Sequence, residues 1–407
     1  MGLMARQCSF CGEDRRVVDR LVVGHGGVAI CGECARLAAE LAAVPETEPS
    51  GDLLLTGIGT LVTNDPRHGG FLGSIDGAAV AIRHGRVTWV GRQRALPDGY
   101  RDLPEVECEG RMVTPGFVDA HRHLEAASDE NVEEMAQGIA ALLGRALERG
   151  ATTVELRAWG APTPEADVTM LAAVRTAAES LPSDVVSSVV VGTEPPPRGA
   201  RYRPTLESVT IPTTSRIATY LDLVVGGPLD NADARAVIET GRRHGMRPRV
   251  HVDGEEALDV ALESRVVSVD GLTGLDGVAE TVAESGSVMV SVPAAAWLEG
   301  RPDPVREMWE AGVVVALGTG CSRGAVSSMP LAMAVSVHHG RLDPEQALWS
   351  ATRGGALAVE EPDKGRVALG SIADLVLLDT ETALDIVSEP GTDVVHKVIK
   401  DGVLVGT

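Results

Sequence analysis

The chain has 407 residues, 44% of them apolar and 23% charged, with a formal net charge of −22. That length exceeds one small domain and leaves room for a barrel of about 250 residues with accessory parts. The acidic balance opposes a polyanionic partner, so no nucleic acid is expected, and no run approaches the ~18 apolar residues of a membrane helix.

The first ten residues, "MGLMARQCSF", lack a basic region followed by an apolar stretch, so no secretory signal is expected. Six cysteines in so long a chain do not make a disulfide scaffold, and a reducing, cytoplasmic location is expected. Four of them form two C-x-x-C knuckles, Cys8/Cys11 and Cys31/Cys34, with nineteen residues between the pairs. Zinc takes four soft ligands in a tetrahedron, and each knuckle supplies two thiolates from one tight turn. Two disulfides or a redox pair are the alternatives; the spacing favours structural Zn²⁺ on all four cysteines. A complete set leaves His25 without a role. "RRVVDRLVVG" and "GVAI" predict a short hairpin, and "ECARLAAELAA" predicts a helix, together a treble-clef-like finger over residues 1–43.

This module resembles the zinc-binding domain at the front of ClpX chaperones, in its C-x-F-C-G opening, apolar hairpin and "ICGEC" entry into a helix. The resemblance implies dimerisation or docking of a protein partner. It does not extend to the motor, because no G-x-x-x-x-G-K-[ST] occurs. "AAVPETEPSGD" follows, and residues 44–52 read as a linker.

From Leu53 the texture becomes short β segments with glycine punctuation, and it returns near the C-terminus in "GSIADLVLLD" and "VVHKVIKDGVLVG". Residues 53–112 and 361–407 are therefore expected to form one small β-sandwich domain from both flanks. Between them, over residues 113–360, apolar strands alternate with helical patterns. The strands are "RMVTPGFVDAH", "ATTVELR", "DVVSSVVVG", "IATYLDLVVGG", "MRPRVHVD", "RVVSVD", "SVMVSV" and "GVVVALG". About eight such units predict an α/β protein with a parallel (β/α)8 TIM-like barrel, whose working residues sit at the C-terminal ends of strands.

His121 and His123 lie two apart at one strand end, so their side chains share a face, and His251 ends another strand. Imidazoles are donors for Zn²⁺ or Fe²⁺, which makes these three candidate ligands of a second metal.

Over residues 53–407 the chain resembles the amidohydrolase superfamily, and within it imidazolonepropionase-like cyclic amidohydrolases. "VTPGFVDAHRHL", "RVHVDGEE", "VVVALGTGCSRGAVSSMPLAMAV" and "GRVALGSIADLVLLD" carry the resemblance. It implies hydrolysis of ring C–N bonds by a metal-bound hydroxide. The family's metal ligands are the H-x-H pair, a His after the fifth strand and an Asp after the eighth. His121, His123 and His251 match the first three, but the Asp falls on Gly320. The family's sixth-strand His falls on Gly271, and its fifth-strand Glu on Gly254. Its substrate-carboxylate Arg falls on Glu130 and a third-strand His on Glu194, which argues against imidazolonepropionate as substrate. Lys364, Lys397 and Lys400 all follow the barrel, so a lysine bridging two metals inside it is excluded.

The missing Asp would also take the proton from attacking water, help worth about 10²–10⁴ in rate. Asp253, Glu255 and Asp270 are the candidates for a replacement base, or else cap helices and solvate the rim; Cys321 is a candidate replacement ligand. Three readings follow. The favoured one is a weakly active or inactive binding or scaffold protein carrying a docking finger, a homodimer through finger or barrel. The second is an active metal-dependent hydrolase of a cyclic amide or related small molecule with a rebuilt site. The third keeps the barrel as an oligomerisation platform.

Overall fold

In a computed structural model of the protein, residues 7–18, 20–23, 28–42, 51–125, 131–159, 163–193, 202–252, 254–272, 275, 277–320 and 328–405 are described. Asp253, Glu130, Glu194, Cys321, His25 and all but two residues of the expected linker lie outside them. Among the described residues, no helix is long and apolar enough to cross a membrane.

Eight parallel strands form the central sheet: Phe117–Glu125 (β1), Ala151–Trp159 (β2), Asp184–Val191 (β3), Tyr220–Val224 (β4), Arg247–His251 (β5), Ser268–Asp270 (β6), Val288–Ser291 (β7) and Val315–Leu317 (β8). Each pairs with the next in chain order. The seam between β8 and β1 is joined by a bridge of Arg122 and Gly320. There the His123 N–H donates to the Gly320 carbonyl and the Gly320 N–H to the His121 carbonyl, both at 2.9 Å. Helices cover the outside because their sequences offer one apolar stripe. In Val132–Glu148, Ala136, Ile139, Leu143, Ala146 and Leu147 fall three or four apart and are buried, and the Asn131 side chain caps the first turn.

The stretch expected to run as one strand from Arg111 to His121 is two. Met112–Pro115 pairs antiparallel with Leu375–Leu378 in the flanking sheet, and β1 begins at Phe117. Proline removes a ladder donor here, and Gly116 is required sterically, since a Cβ would lie 2.3 Å from Thr152 Oγ1. The chain changes sheets at that point.

The flanking sheet has eight strands drawn from both ends. From one edge the order is Val403–Val405, Val395–Lys400, Leu375–Leu378, Met112–Pro115, Leu53–Leu61, Ile75–Arg83 and Arg86–Arg92, with Glu105–Glu107 beside Leu53–Leu61. Bulges in three of its ladders let it curl, and Leu55, Ile58, Val80, Val113, Leu375 and Ile399 share one core. Two lysines fasten it beneath the barrel. Lys364 and Lys400 both reach Asp184 at the start of β3, and both reach Asp374, at 2.8 and 3.1 Å. Asp184, Asp374 and Asp401 stand close enough together to hold a cation, and the two ammonium groups take that place.

At the N-terminus, Leu21–Val23 pairs antiparallel with Ala29–Cys31, and the helix Gly32–Ala42 follows. Leu369 of the body packs against the cysteine cluster, and Leu37 of the finger helix approaches Gly370.

Candidate metal centres and the barrel pocket

The four knuckle sulfurs lie within 4.8 Å of one another. The Cys31 N–H donates to Cys8 Sγ at 3.3 Å and the Cys34 N–H to Cys31 Sγ at 3.4 Å. Burial works against ionising Cys8, but backbone N–H groups of Cys11, Cys31 and Phe10 outweigh it and bring the thiol down to about 6. Burial pushes Cys11 up to about 11 and raises Cys34 as well, with the neighbouring sulfurs adding to the latter. Four thiolates cannot coexist there without a cation among them, and this donor set fits zinc.

In the barrel, period-two alternation sends Asp119, His121 and His123 of β1 to one face. Nitrogens of His121, His123 and His251 lie within 4.8 Å of one another. His121 Nε2 stands 2.6 Å from His123 Nε2. Below them, His121 Nδ1 is 2.7 Å from Asp270 Oδ2, and His251 Nδ1 is 3.2 Å from Asp222 Oδ1. A carboxylate behind Nδ1 fixes that nitrogen as the donor and turns the Nε2 lone pair toward the shared point, the usual support of a metal-ligating histidine. Burial, with the nearby Arg157 charge, drives His121 down to about 3, and burial lowers His123 too. Both imidazoles are therefore neutral at pH 7, the form that ligates. Two lone pairs facing each other at that distance call for a shared proton or a metal cation between them.

The supporting layer is charged and closed. Arg157 Nη1 reaches Asp270 at 2.6 Å and Asp222 at 2.8 Å, and its Nε reaches Glu155 at 3.1 Å. Arg249 sits 3.4 Å from Glu155, donates to Ser268 Oγ at 2.9 Å and lies over the Tyr220 ring. The Ser268 hydroxyl donates to Asp270 Oδ1 at 2.8 Å, and the Ser188 hydroxyl to Glu155. Two guanidiniums thus face three carboxylates, leaving an excess negative charge under the imidazoles that favours a cation there. Burial alone would raise Asp270, but Arg157 and His121 hold it well below the carboxylate range; Asp222 is likewise lowered against burial, chiefly by His251 and Arg157.

The sequence-predicted residues divide accordingly. His121, His123 and His251 converge. Asp270 is fully buried with both oxygens engaged beneath His121, so it orients that imidazole and does not face the cavity. Glu255 is exposed in the first turn of the helix Glu255–Glu263, where a carboxylate complements the helix N-terminus. Gly320, Gly271 and Gly254 all have positive φ, at +85°, +74° and +109°. A Cβ at Gly320 would stand 2.5 Å from Val292 Cγ1, whereas at Gly254 it would meet nothing within 4 Å. Asp222, Glu155 and Arg157 were not singled out by sequence reasoning, although a charge at alternate positions of otherwise apolar strands ("VELR", "YLDL") is a readable signal of an inward-facing network. Trp159 was also missed; its ring stacks on His123 with centroids 4.1 Å apart.

Above the histidines opens a cavity of about 430 Å³, walled by Trp159, Val224, Leu272, Met289 and Val292, with Ser291, Glu299, Arg301 and Asp303 as its polar side chains beyond the imidazoles. It lies at the C-terminal ends of the strands, where barrels of this kind place their ligands.

Comparison with known proteins decides the family. Residues 112–405 match the amidohydrolase family model, and residues 6–43 match the ClpX C4-type zinc finger. The chain belongs to the amidohydrolase family. An imidazolonepropionase of Nocardia farcinica is 32% identical over 86% of this amidohydrolase and 97% of its own length, and one of Streptomyces coelicolor is 30% identical over 87% and 99%. Among solved structures, an adenosine deaminase from Xanthomonas campestris with bound zinc superposes with a TM-score of 0.69 at 18% identity, covering 87% of this chain and 92% of that one. A Xaa-Pro dipeptidase reaches 0.70 at 18% identity, covering 88% and 100%. At those identities the structures attest the fold alone. The (β/α)8 barrel, the flanking sheet and the four-cysteine finger expected from the sequence are all present.

Proposed function

We propose that this amidohydrolase is a small-molecule-binding protein that keeps a metal in its barrel and has weak or no hydrolytic turnover. One observation carries the reading. The position where the family's resemblance calls for a metal-ligating, proton-accepting carboxylate is Gly320, whose backbone closes the barrel between His121 and His123 on left-handed φ and where a Cβ would press on a Val292 methyl at 2.5 Å. A divalent metal on the three imidazoles would polarise a bound water or carbonyl. His121, His123 and His251 would hold it, Asp270 and Asp222 would orient two of those rings, and Arg157 would hold the two carboxylates in place. Among the described residues the carboxylates of the cavity are Glu299, paired with Arg301, and Asp303, held by Ser291, and neither stands at the family's ligand position. Turnover of cyclic amides is therefore expected to fall about 10²–10⁴-fold below the usual range of about 10⁴–10⁸ M⁻¹ s⁻¹ in kcat/KM, the share such a base normally contributes.

The finger supplies the second half of the proposal. Phe10, Val17, Val22, Val23 and Val28 are exposed on it, an apolar surface suited to a second copy of the same finger. Four thiols kept reduced also suit the cytoplasm.

Metal analysis with sedimentation tests both halves. Wild type should carry two metals per chain and run as a dimer. Cys8→Ser should lose one metal and the dimer, and His121→Ala should lose the other metal and leave the dimer intact. Rapid cleavage of a lactam or imide by the two-metal protein, abolished in His251→Ala, would overturn the weak-turnover reading.

A further inference from the structure

Among the described residues the barrel cavity has three charged side chains besides its histidines, Glu299, Arg301 and Asp303, and these three are not balanced. Glu299 and Arg301 form an ion pair with each other, and the Arg301 carbonyl accepts a hydrogen bond from His339 Nε2 at 3.1 Å. Asp303 is left over. Its Oδ2 accepts from the Ser291 hydroxyl at 2.6 Å, and the backbone N–H of Val305 assists. Among the described residues the charge that bears on it from outside is His339, a histidine, with no lysine or arginine in contact. Burial raises the Asp303 acid to about 6, so at pH 7 it is mostly ionised in a largely apolar cavity, and among the described residues it has no full counter-charge.

The Ser291 contact shows that this carboxylate is held in place. Ser291 ends β7 and is itself buried, so its hydroxyl is a fixed donor that anchors one face of the carboxylate. Trp159 lines the same cavity and adds an aromatic surface. A negative group set in an apolar, aromatic-walled pocket complements a flat cation with N–H donors, because ion pairing, donated hydrogen bonds and ring contact act on one molecule together.

We propose that Asp303 is the ligand-anchoring residue of this pocket and selects flat, nitrogen-rich ligands of the amidinium or aminoheterocycle class, cationic or proton-donating, over carboxylates. The inference rests on reading the barrel as a small-molecule site. It separates this chain from any relative whose substrate presents a carboxylate to the same cavity.

The isosteric series benzamidine, benzamide and benzoate reads the preference directly by calorimetry on the metal-loaded full chain at pH 7.5. Benzamidine should bind at least ten-fold more tightly than benzamide. Asp303→Asn, which keeps the shape and still accepts from Ser291, should reduce that ratio ten-fold or more and improve benzoate relative to benzamidine. Asp303→Glu should retain a preference for the cation. Because the readout is the change in ratio between wild type and variant, attraction of benzoate to the metal cancels. An unchanged ratio in a folded Asp303→Asn protein overturns the assignment, as does failure of wild type to bind benzamidine at all. Either result leaves the metal count and the turnover measurement untouched, so the two readings fail separately.

Discussion

The interior of the barrel and its rim are built differently. Beneath the histidines, Glu155, Arg157, Asp222, Arg249 and Asp270 form a fully buried network in which each charge has an opposite partner. One layer higher, the strand ends carry Gly271 and Gly320. The lower layer cannot lose a member cheaply, since one deletion strands its partners in a low dielectric. The upper layer faces a cavity, where losing a side chain costs activity and little stability. On the proposed reading, that asymmetry lets a chain keep three convergent imidazoles while glycine stands at the family's carboxylate position.

The sharpest way to break the comparison is at its centre. Arg157→Met removes the one guanidinium shared by Asp222 and Asp270, and should destabilise the protein by about 3–5 kcal/mol. Denaturant midpoints at pH 7 should show the loss, and the barrel metal should go with it while the finger zinc stays. A fall under about 1 kcal/mol with the metal retained would mean that the network is not what supports the ligands.

Asp167 supplies the contrasting case of a buried carboxylate with no counter-ion among the described residues. It lies in the helix Pro164–Glu179, packed on the outside of the barrel, and its Oδ1 has no hydrogen-bond partner. Burial pushes its acid up to about 8. A folded-state value above the unfolded one means that the native chain binds the proton more tightly, so this residue costs nothing below about pH 4. Stability should then fall as pH rises from about 4 to about 8. Asp167→Asn should raise the melting temperature at pH 8, by an amount equivalent to up to about 5 kcal/mol, and leave it nearly unchanged at pH 4. Equal effects at both pH values would locate the change in packing instead of ionisation.

How much of this was legible beforehand follows from what each feature depends on. The finger was readable because four cysteines at fixed spacing leave few chemical alternatives. The barrel was readable because its strands and helices carry different apolar periods, and the flanking sheet because the same β texture recurs at both ends. The convergence of His121, His123 and His251 was readable from their positions at strand ends. The charge network was harder: Asp222 lies 65 residues from Arg157, and pairing between strands so far apart in the chain appears only once the barrel closes. Asp303 gave no sequence signal at all, because its importance comes from the cavity wall that Ser291 and Trp159 build around it.

The smallest expected effect tests whether the rim can be rebuilt. Gly320 adopts a φ of +85°, and its N–H and carbonyl both serve the seam with β1. Gly320→Asp places a side chain on left-handed backbone and drives its Cβ into Val292 Cγ1, so the variant should lose about 1–3 kcal/mol and gain no cyclic-amide hydrolysis. Adding Val292→Ala removes the obstructing methyl groups. The double variant should recover part of the lost stability, and with the carboxylate beside the imidazoles it is the form in which hydrolysis should first become measurable. A single Gly320→Asp protein that is as stable as wild type and turns over a lactam would show that the backbone yields easily at the seam. The closing strand would then have been free to keep its carboxylate, and the steric account of its absence would fail.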